Sequence, residues 1–244
     1  MHLFLTSSPT GPLDNSYFVD GIDGSNGFKQ RLEALFFVGM RGLMFAADPN
    51  AYARNDEMVD YFGKVFNSLG KPFATFDLCD YRYPFSKEEI AGYDLIVLAG
   101  GHTPTQNAFF QAIDLREKLA GYRGVVLGIS AGSMNMADTV YFQPEEPGES
   151  SPAFVRSGRG LGLCTVSIVP HFQMIRRFNL DGWSLVYDLI RSDSYGRELL
   201  ALNDGSYVYV DEKGRAIVCG AAWLLKDGEF KEFCKDDLWR CLNE

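Results

Sequence analysis

The chain has 244 residues, 46% of them hydrophobic, with 19 Phe, 12 Tyr and 3 Trp, a length and apolar content that build a sizeable core and exclude a disordered chain. Its net charge of −9 speaks against a nucleic-acid partner, which needs a basic stripe to meet the phosphates. No apolar run reaches the ~18 residues of a membrane span, and the opening MHLFLTSSPTG lacks the basic and apolar regions of a secretory signal, so the expected location is the cytoplasm.

In chain order, HLFLTSS (2–8) reads as a first strand, followed by a Gly/Asp/Asn-rich loop at 10–27 and a helical stretch over 28–37. GLMFAAD (42–48) reads as the next strand. A helix follows from Asn55, where Met58, Phe62, Val65, Phe66 and Leu69 recur at three- and four-residue spacing and Gly70 closes it. PFATFDL (72–78), DLIVLAG (94–100) and GVVLGIS (124–130) continue the strands. Between the last two a helix is predicted over 104–122, with Pro104 tolerated in its first turn. Strands apolar on both faces, alternating with helices, predict an α/β protein whose parallel sheet is covered on both sides.

The stretch 143–161, QPEEPGESSPAFVRSGRGL, reads as one long Pro/Gly/Ser-rich loop, and loops of that length inside a compact domain are usually functional. TVSIVPHF (165–172) then reads as a strand, and a helix is predicted from about Leu180. From Leu199 onward, Asp-Gly, Lys-Gly and Asp-Gly turns separate apolar runs that read as antiparallel hairpins. No repeat or long linker divides the chain, so 1–244 is expected to form one domain. The five cysteines (79, 164, 219, 234 and 241) form no C-x-x-C pair and are odd in number, which argues against a disulfide framework. Three histidines leave little from which to build a zinc site.

Ser130 stands at the corner of GVVLGISAGSMNMAD, between Gly128 and Gly132, where a strand runs into a helix. Such a corner is either a tight turn or a nucleophile elbow that lifts a hydroxyl above the end of a sheet. A serine nucleophile needs a base. His2 opens the first strand, so the candidates are His102, in LAGGHTPTQ, and His171, at the carboxyl end of TVSIVPHF and the edge where Ser130 is expected. Gly100 and Gly101 allow close backbone approach to a substrate oxygen, and the N–H groups of Gly101 and Ala131 make a candidate oxyanion hole. Asp138, Glu145, Glu146 and Glu149 compete for the acid that orients the histidine, and each reads equally well as a solvated loop residue.

GGHTPTQ, GISAGSMNMA and LGLCTVSIVPHF, in this order within about 43–172, resemble the peptidase E family of serine peptidases. That family includes aspartyl dipeptidases and cyanophycinases and has the fold of class I glutamine amidotransferases. The resemblance implies a three-layer α/β sandwich with a mostly parallel central sheet and antiparallel hairpins near the carboxyl terminus. It implies Ser130 as nucleophile, His171 as general base and Gly101 in the oxyanion hole. The third member is an aspartate in peptidase E and a glutamate in cyanophycinases, lying between the other two; Glu145 is the choice here, with Glu149 next. Glu145 is preferred to Glu146 because neighbours on an extended segment point in opposite directions.

The substrate-binding candidates are His102, Gln106, Arg156 and Arg176, with Arg159 and Arg177 as further partners for a substrate carboxylate. Two departures stand out: His102-Thr103 replaces an asparagine of the family's glycine-rich loop, and the arginine run of cyanophycinases shrinks to Arg176-Arg177. Cleavage after aspartate therefore does not carry over. Serine at the elbow, where class I amidotransferases have cysteine, argues against glutamine hydrolysis. The expected activity is hydrolysis of a peptide or amide bond in small peptides, as a dipeptidase or exopeptidase with no metal or organic cofactor. The rivals are a cyanophycinase-like isopeptide hydrolase and a non-catalytic sensor on the same fold. No nucleic-acid or membrane partner is expected, and a homodimer is compatible with the sequence.

Overall fold

The first strand, β1 (His2–Thr6), sends Leu3 and Leu5 into one apolar cluster and Phe4 into another, as a strand buried on both faces must. A computed structural model describes residues 1–11, 21–236 and 238–242, and half of the loop expected at 10–27 lies outside them. After β1 come α1 (Phe28–Leu35), β2 (Arg41–Phe45), α2 (Tyr52–Asn67), β3 (Thr75–Cys79), α3 (Lys87–Ile90) and β4 (Leu95–Leu98). Then follow α4 (Thr103–Ala112), α5 (Leu115–Lys118), β5 (Val125–Ile129) and α6 (Ala131–Met134).

β1, β5, β4, β2 and β3 lie side by side in that order and run parallel, and three antiparallel strands from the end of the chain extend the sheet beyond β1. One face carries Leu43, Phe45, Ile96, Leu98 and Val126 against Phe109 and Phe110 of α4 and Leu115 of α5. The other carries Met44, Leu95, Val97 and Leu127 against Leu32 of α1 and Phe62 and Phe66 of α2. The alternation along each strand thus produces three layers. The predicted helix over 104–122 is broken in two, because Asp114 adopts a left-handed φ of 52° that ends the i→i−4 ladder. The short α3, held by a Ser86–Glu89 capping box, has no counterpart among the predicted elements.

The second half departs further from the sequence reading. Its elements are β6 (Thr139–Tyr141), β7 (Ser157–Arg159), β8 (Ile168–Val169), α7 (Phe172–Ile175), β9 (Asn179–Leu180) and β10 (Trp183–Ser184). A π-helical turn (Leu185–Ile190) runs into α8 (Arg191–Asp193), followed by β11 (Glu198–Leu202), β12 (Tyr207–Val210) and β13 (Ala216–Cys219). β14 (Ala222–Lys226), β15 (Glu229–Cys234) and β16 (Trp239–Cys241) complete the described chain. The end of the long loop is tied back to the strand before it, since β7 pairs with β6. The helix expected from Leu180 starts instead at Leu185. Asp181 and Gly182, with φ of 52° and 88°, make the two-residue turn of the β9–β10 hairpin before it.

The Lys213-Gly214 and Asp227-Gly228 turns close the β12–β13 and β14–β15 hairpins as expected. Asn203-Asp204-Gly205 does not. β11 pairs with β14 and, in parallel, with β8, whereas β12 joins β1 in the central sheet. The Asp-Gly pair is thus a corner between two sheets. Among the described residues no helix is long and apolar enough to cross a membrane.

Candidate active site

The corner after β5 is built by close packing. A Cβ on Gly128 would sit 2.5 Å from the Ser133 backbone nitrogen, and one on Gly132 would sit 2.1 Å from the Leu98 carbonyl oxygen. Only glycine fits either place, which accounts for the G-x-S-x-G pattern. Between them Ser130 is forced to φ 49°, ψ −109°, a region that costs an L-residue on the order of 1–3 kcal/mol. Hydrogen bonds over-determine that geometry. The Ser130 N–H and the Ser133 hydroxyl both donate to the Thr6 carbonyl, at 3.0 and 2.9 Å, and the Thr6 hydroxyl donates to the Gly128 carbonyl at 2.6 Å. Gly132→Ala is expected to destabilise the fold by about 3 kcal/mol through overpacking against β4; a urea midpoint matching wild type would show that the corner can relax.

His171 reaches this corner from the smaller sheet, not from the central one as expected. β8 and β11 run parallel in register, Leu200 beside Ile168 and Ala201 beside Val169, so the chain leaving each delivers a side chain to the same end. His171 Nε2 lies 3.0 Å from Ser130 Oγ, and its Nδ1 lies 2.6 Å from Asp204 Oδ1. Because an ionised carboxylate only accepts, Asp204 places the imidazole proton on Nδ1 and leaves the Nε2 lone pair to accept from the Ser130 hydroxyl.

Asp204, not Glu145, therefore stands behind the histidine. Its side chain is fully buried, and burial alone would raise its pKa. The hydrogen bond and charge of His171, with hydrogen bonds from Ser7 and Gln173, outweigh that and hold it below the usual carboxylate range. The Ser7 hydroxyl accepts the His171 backbone N–H at 2.7 Å and donates to Asp204 Oδ1 at 2.6 Å. Gln173 Nε2 donates to Oδ2 at 2.6 Å, while its Oε1 accepts the Asp204 N–H at 3.0 Å. Ser7, Gln173 and Asp204 escaped the sequence reading. The available signal was an Asp-Gly corner just past an apolar strand, which looked like a hairpin turn.

The remaining candidates divide. Gly100 and Gly101 line the cavity at Ser130, and Ala131 begins α6, where an N–H has no helical acceptor. His102 lies beside them, its Nε2 2.9 Å from Glu149 Oε1 and its Nδ1 2.7 Å from Thr105 Oγ1. Glu149 Oε2 also accepts the N–H groups of Glu145 and Glu146, so the pair pins the long loop to the start of α4. His102, Glu146 and Glu149 bring one ligand atom each within 4.8 Å of one another, a spacing a metal ion could bridge if the His102–Glu149 hydrogen bond opened.

Gln106 is fully buried and spends its amide on the Ala99 carbonyl and Asn135. Arg156 is clamped to Asp193 and to the carbonyls of Glu149 and Ser150. Arg176 is exposed and does not line the cavity at Ser130, and neither do Arg159 and Arg177. These four arginines and Gln106 are thus corrected as substrate contacts. Asp138 faces Arg116 at 2.7 Å.

Glu145 opens into the cavity instead. Glu145 is exposed at the cavity, yet the surrounding protein mass disfavours its charged form and pushes its pKa up to about 7, with Glu149 and Glu146 adding to the rise and His102 and His171 opposing it. A carboxyl with a raised folded-state pKa keeps its proton longer in the native state, so stability falls as pH rises from the ordinary 4.5 towards 7. Glu145→Gln is expected to remove that slope and to melt above wild type at pH 8, with no gain below pH 4. Parallel melting curves across this range would refute the shift.

The cavity at Ser130 has a volume of about 490 Å³ and is walled by residues Ser7–Thr10 after β1, by α2, by the α7 region and by Gln143 and Glu145. A family model for peptidase family S51 matches residues 41–218. No curated protein matches the sequence. Among solved structures, a peptidase from an acI-B1 actinobacterium aligns with 99% of this chain and 96% of its own, at 15% identity and a TM-score of 0.62. A candidate peptidase E protein from Listeria monocytogenes EGD-e aligns with 96% of this chain and 98% of its own, at 16% identity and a TM-score of 0.56.

Proposed function

Because this chain belongs to peptidase family S51, a family of serine peptidases, we propose that it cleaves an amide bond in small peptides with Ser130 as nucleophile, His171 as general base and Asp204 as the group that orients the imidazole. The observation that carries this reading is the unbroken chain from Asp204 through His171 to Ser130, at 2.6 and 3.0 Å. As Ser130 Oγ bonds to the scissile carbonyl carbon, its proton passes to His171 Nε2. The carbonyl oxygen, now an oxyanion, is met by the N–H groups of Gly101 and Ala131. Collapse breaks the C–N bond, and the departing amine takes the proton from Nε2. Water then repeats the sequence on the ester and restores the hydroxyl. Asp204 stays ionised throughout and stabilises the transient imidazolium.

A cavity of about 490 Å³ is within the range of small-ligand sites, which favours a short peptide over a folded protein. A fluorophosphonate reagent is expected to label Ser130 in the wild type and nothing in Ser130→Ala. An adduct mapped to Ser133, whose hydroxyl is committed to Thr6, would overturn the assignment.

A further inference from the structure

The cavity at Ser130 is lined by an apolar set and a polar set of residues. On α2, Arg54, Met58, Tyr61 and Phe62 fall on one face at helical spacing, and all four line it. Met174, Ile175, Phe178, Leu185 and Ile129 add further apolar lining. The polar set holds Ser7, Ser130 and His171, together with Gln143 and Glu145 from one extended segment, where alternate residues face the same way. Gln143 is 3% exposed, and its Oε1 has no hydrogen-bond partner. A buried, unpaired amide oxygen is costly, and Gln143 is among the residues that line the cavity, so a small turn of its side chain would bring that oxygen to a ligand N–H.

Resting on the reading of Ser130 as nucleophile, we propose that this cavity selects peptides whose residue before the scissile bond carries a bulky apolar side chain, packed against α2 and α7, with a peptide N–H donated to Gln143. Among the described residues, an acidic side chain finds a single cation in the cavity lining, Arg54. The arginines expected to meet one, Arg156 and Arg176, are elsewhere, and Arg54 at the rim leans towards Glu57 at 3.5 Å. The carboxyl that does face the cavity, Glu145, repels an anion whenever it is ionised. An apolar side chain instead removes wall surface from water, which favours it over a short or charged one.

The test is calorimetric binding of the X-Gly dipeptides Phe-Gly, Leu-Gly, Ala-Gly and Asp-Gly to Ser130→Ala at pH 8, with fluorophosphonate labelling of the wild type run separately. Phe-Gly and Leu-Gly are expected to bind at least ten-fold tighter than Ala-Gly and Asp-Gly. Adding Met58→Lys, a half-buried position that tolerates the longer side chain, is expected to weaken Phe-Gly ten-fold and to strengthen Asp-Gly. Gln143→Met is expected to weaken all four dipeptides alike, since the peptide backbone is common to them. Asp-Gly binding as tightly as Phe-Gly, no binding by any dipeptide, or constants unmoved by Met58→Lys would each overturn the proposal. Absence of labelling on wild-type Ser130 would instead sink the catalytic reading and leave the binding result to stand on its own.

Discussion

Asp204→Asn is expected to lower turnover by about 10⁴-fold while leaving the protein folded. The reason lies in donor counting. Asp204 accepts from His171 Nδ1 and Ser7 Oγ on Oδ1, and from Gln173 Nε2 on Oδ2. An asparagine must put its NH₂ on one side. Facing Gln173 it meets another NH₂, and Gln173 cannot flip without losing the Asp204 N–H that its Oε1 accepts. Facing His171 and Ser7 it finds a hydroxyl able to accept and an imidazole able to change tautomer. The second placement is the quieter one, and it moves the ring proton to Nε2, where it points at Ser130 and cannot receive a proton.

Stability moves as well. A carboxyl whose folded pKa is depressed contributes stability that is present above its unfolded pKa and is lost as pH falls through the folded one. The variant should therefore melt below wild type at neutral pH and converge with it in acid. Asp138→Asn serves as the control, because its carboxylate sits on Arg116 and its turnover should stay within a few-fold of wild type. Steady-state kinetics with melting curves from pH 3 to 8 check both parts. Turnover within ten-fold of wild type in Asp204→Asn would remove it from the catalytic chain.

Why the sequence points to Ser130 and His171 yet not to Asp204 follows from the kind of signal each leaves. The elbow is local: two glycines, a strand before and a helix after all lie within one window, and the clashes at Gly128 and Gly132 show why those residue types are required. The strands β1 to β5 are legible for a similar reason, since burial on both faces makes continuous apolar runs. His171 is legible as a polar residue ending such a run. Asp204 depends on a non-local fact, namely that β11 leaves for a second sheet while β12 returns to β1. Nothing within the Asn203–Gly205 window distinguishes that corner from a hairpin turn. Glu145 lies between Ser130 and His171 in the sequence, as the resemblance asks of the acid, and the structure gives it a place in the cavity wall. The hairpin at Asp181-Gly182 carries a readable signal in its Asp-Gly pair, which the helix expected from about Leu180 runs across.

Ser130→Ala, His171→Ala and the double variant are expected to lose turnover to about the same extent, on the order of 10⁶-fold each, because the two groups act as one unit. Without the imidazole the hydroxyl has no acceptor at 3.0 Å and keeps its proton. Without the hydroxyl the imidazole has nothing to activate. The residual rate over water should survive in all three, since the Gly101 and Ala131 N–H groups remain in place. The corner also separates chemistry from stability. Ser130→Ala keeps a side chain at φ 49°, ψ −109° and so keeps the strain, whereas Ser130→Gly relieves it and should unfold about 1 kcal/mol later than Ser130→Ala, although equally inactive. That ordering is the signature of a backbone held in an unfavourable conformation for the sake of its hydroxyl. Turnover in the double variant far below either single one would show that Ser130 and His171 act independently, and a glycine variant melting below the alanine one would show that the elbow stores no strain.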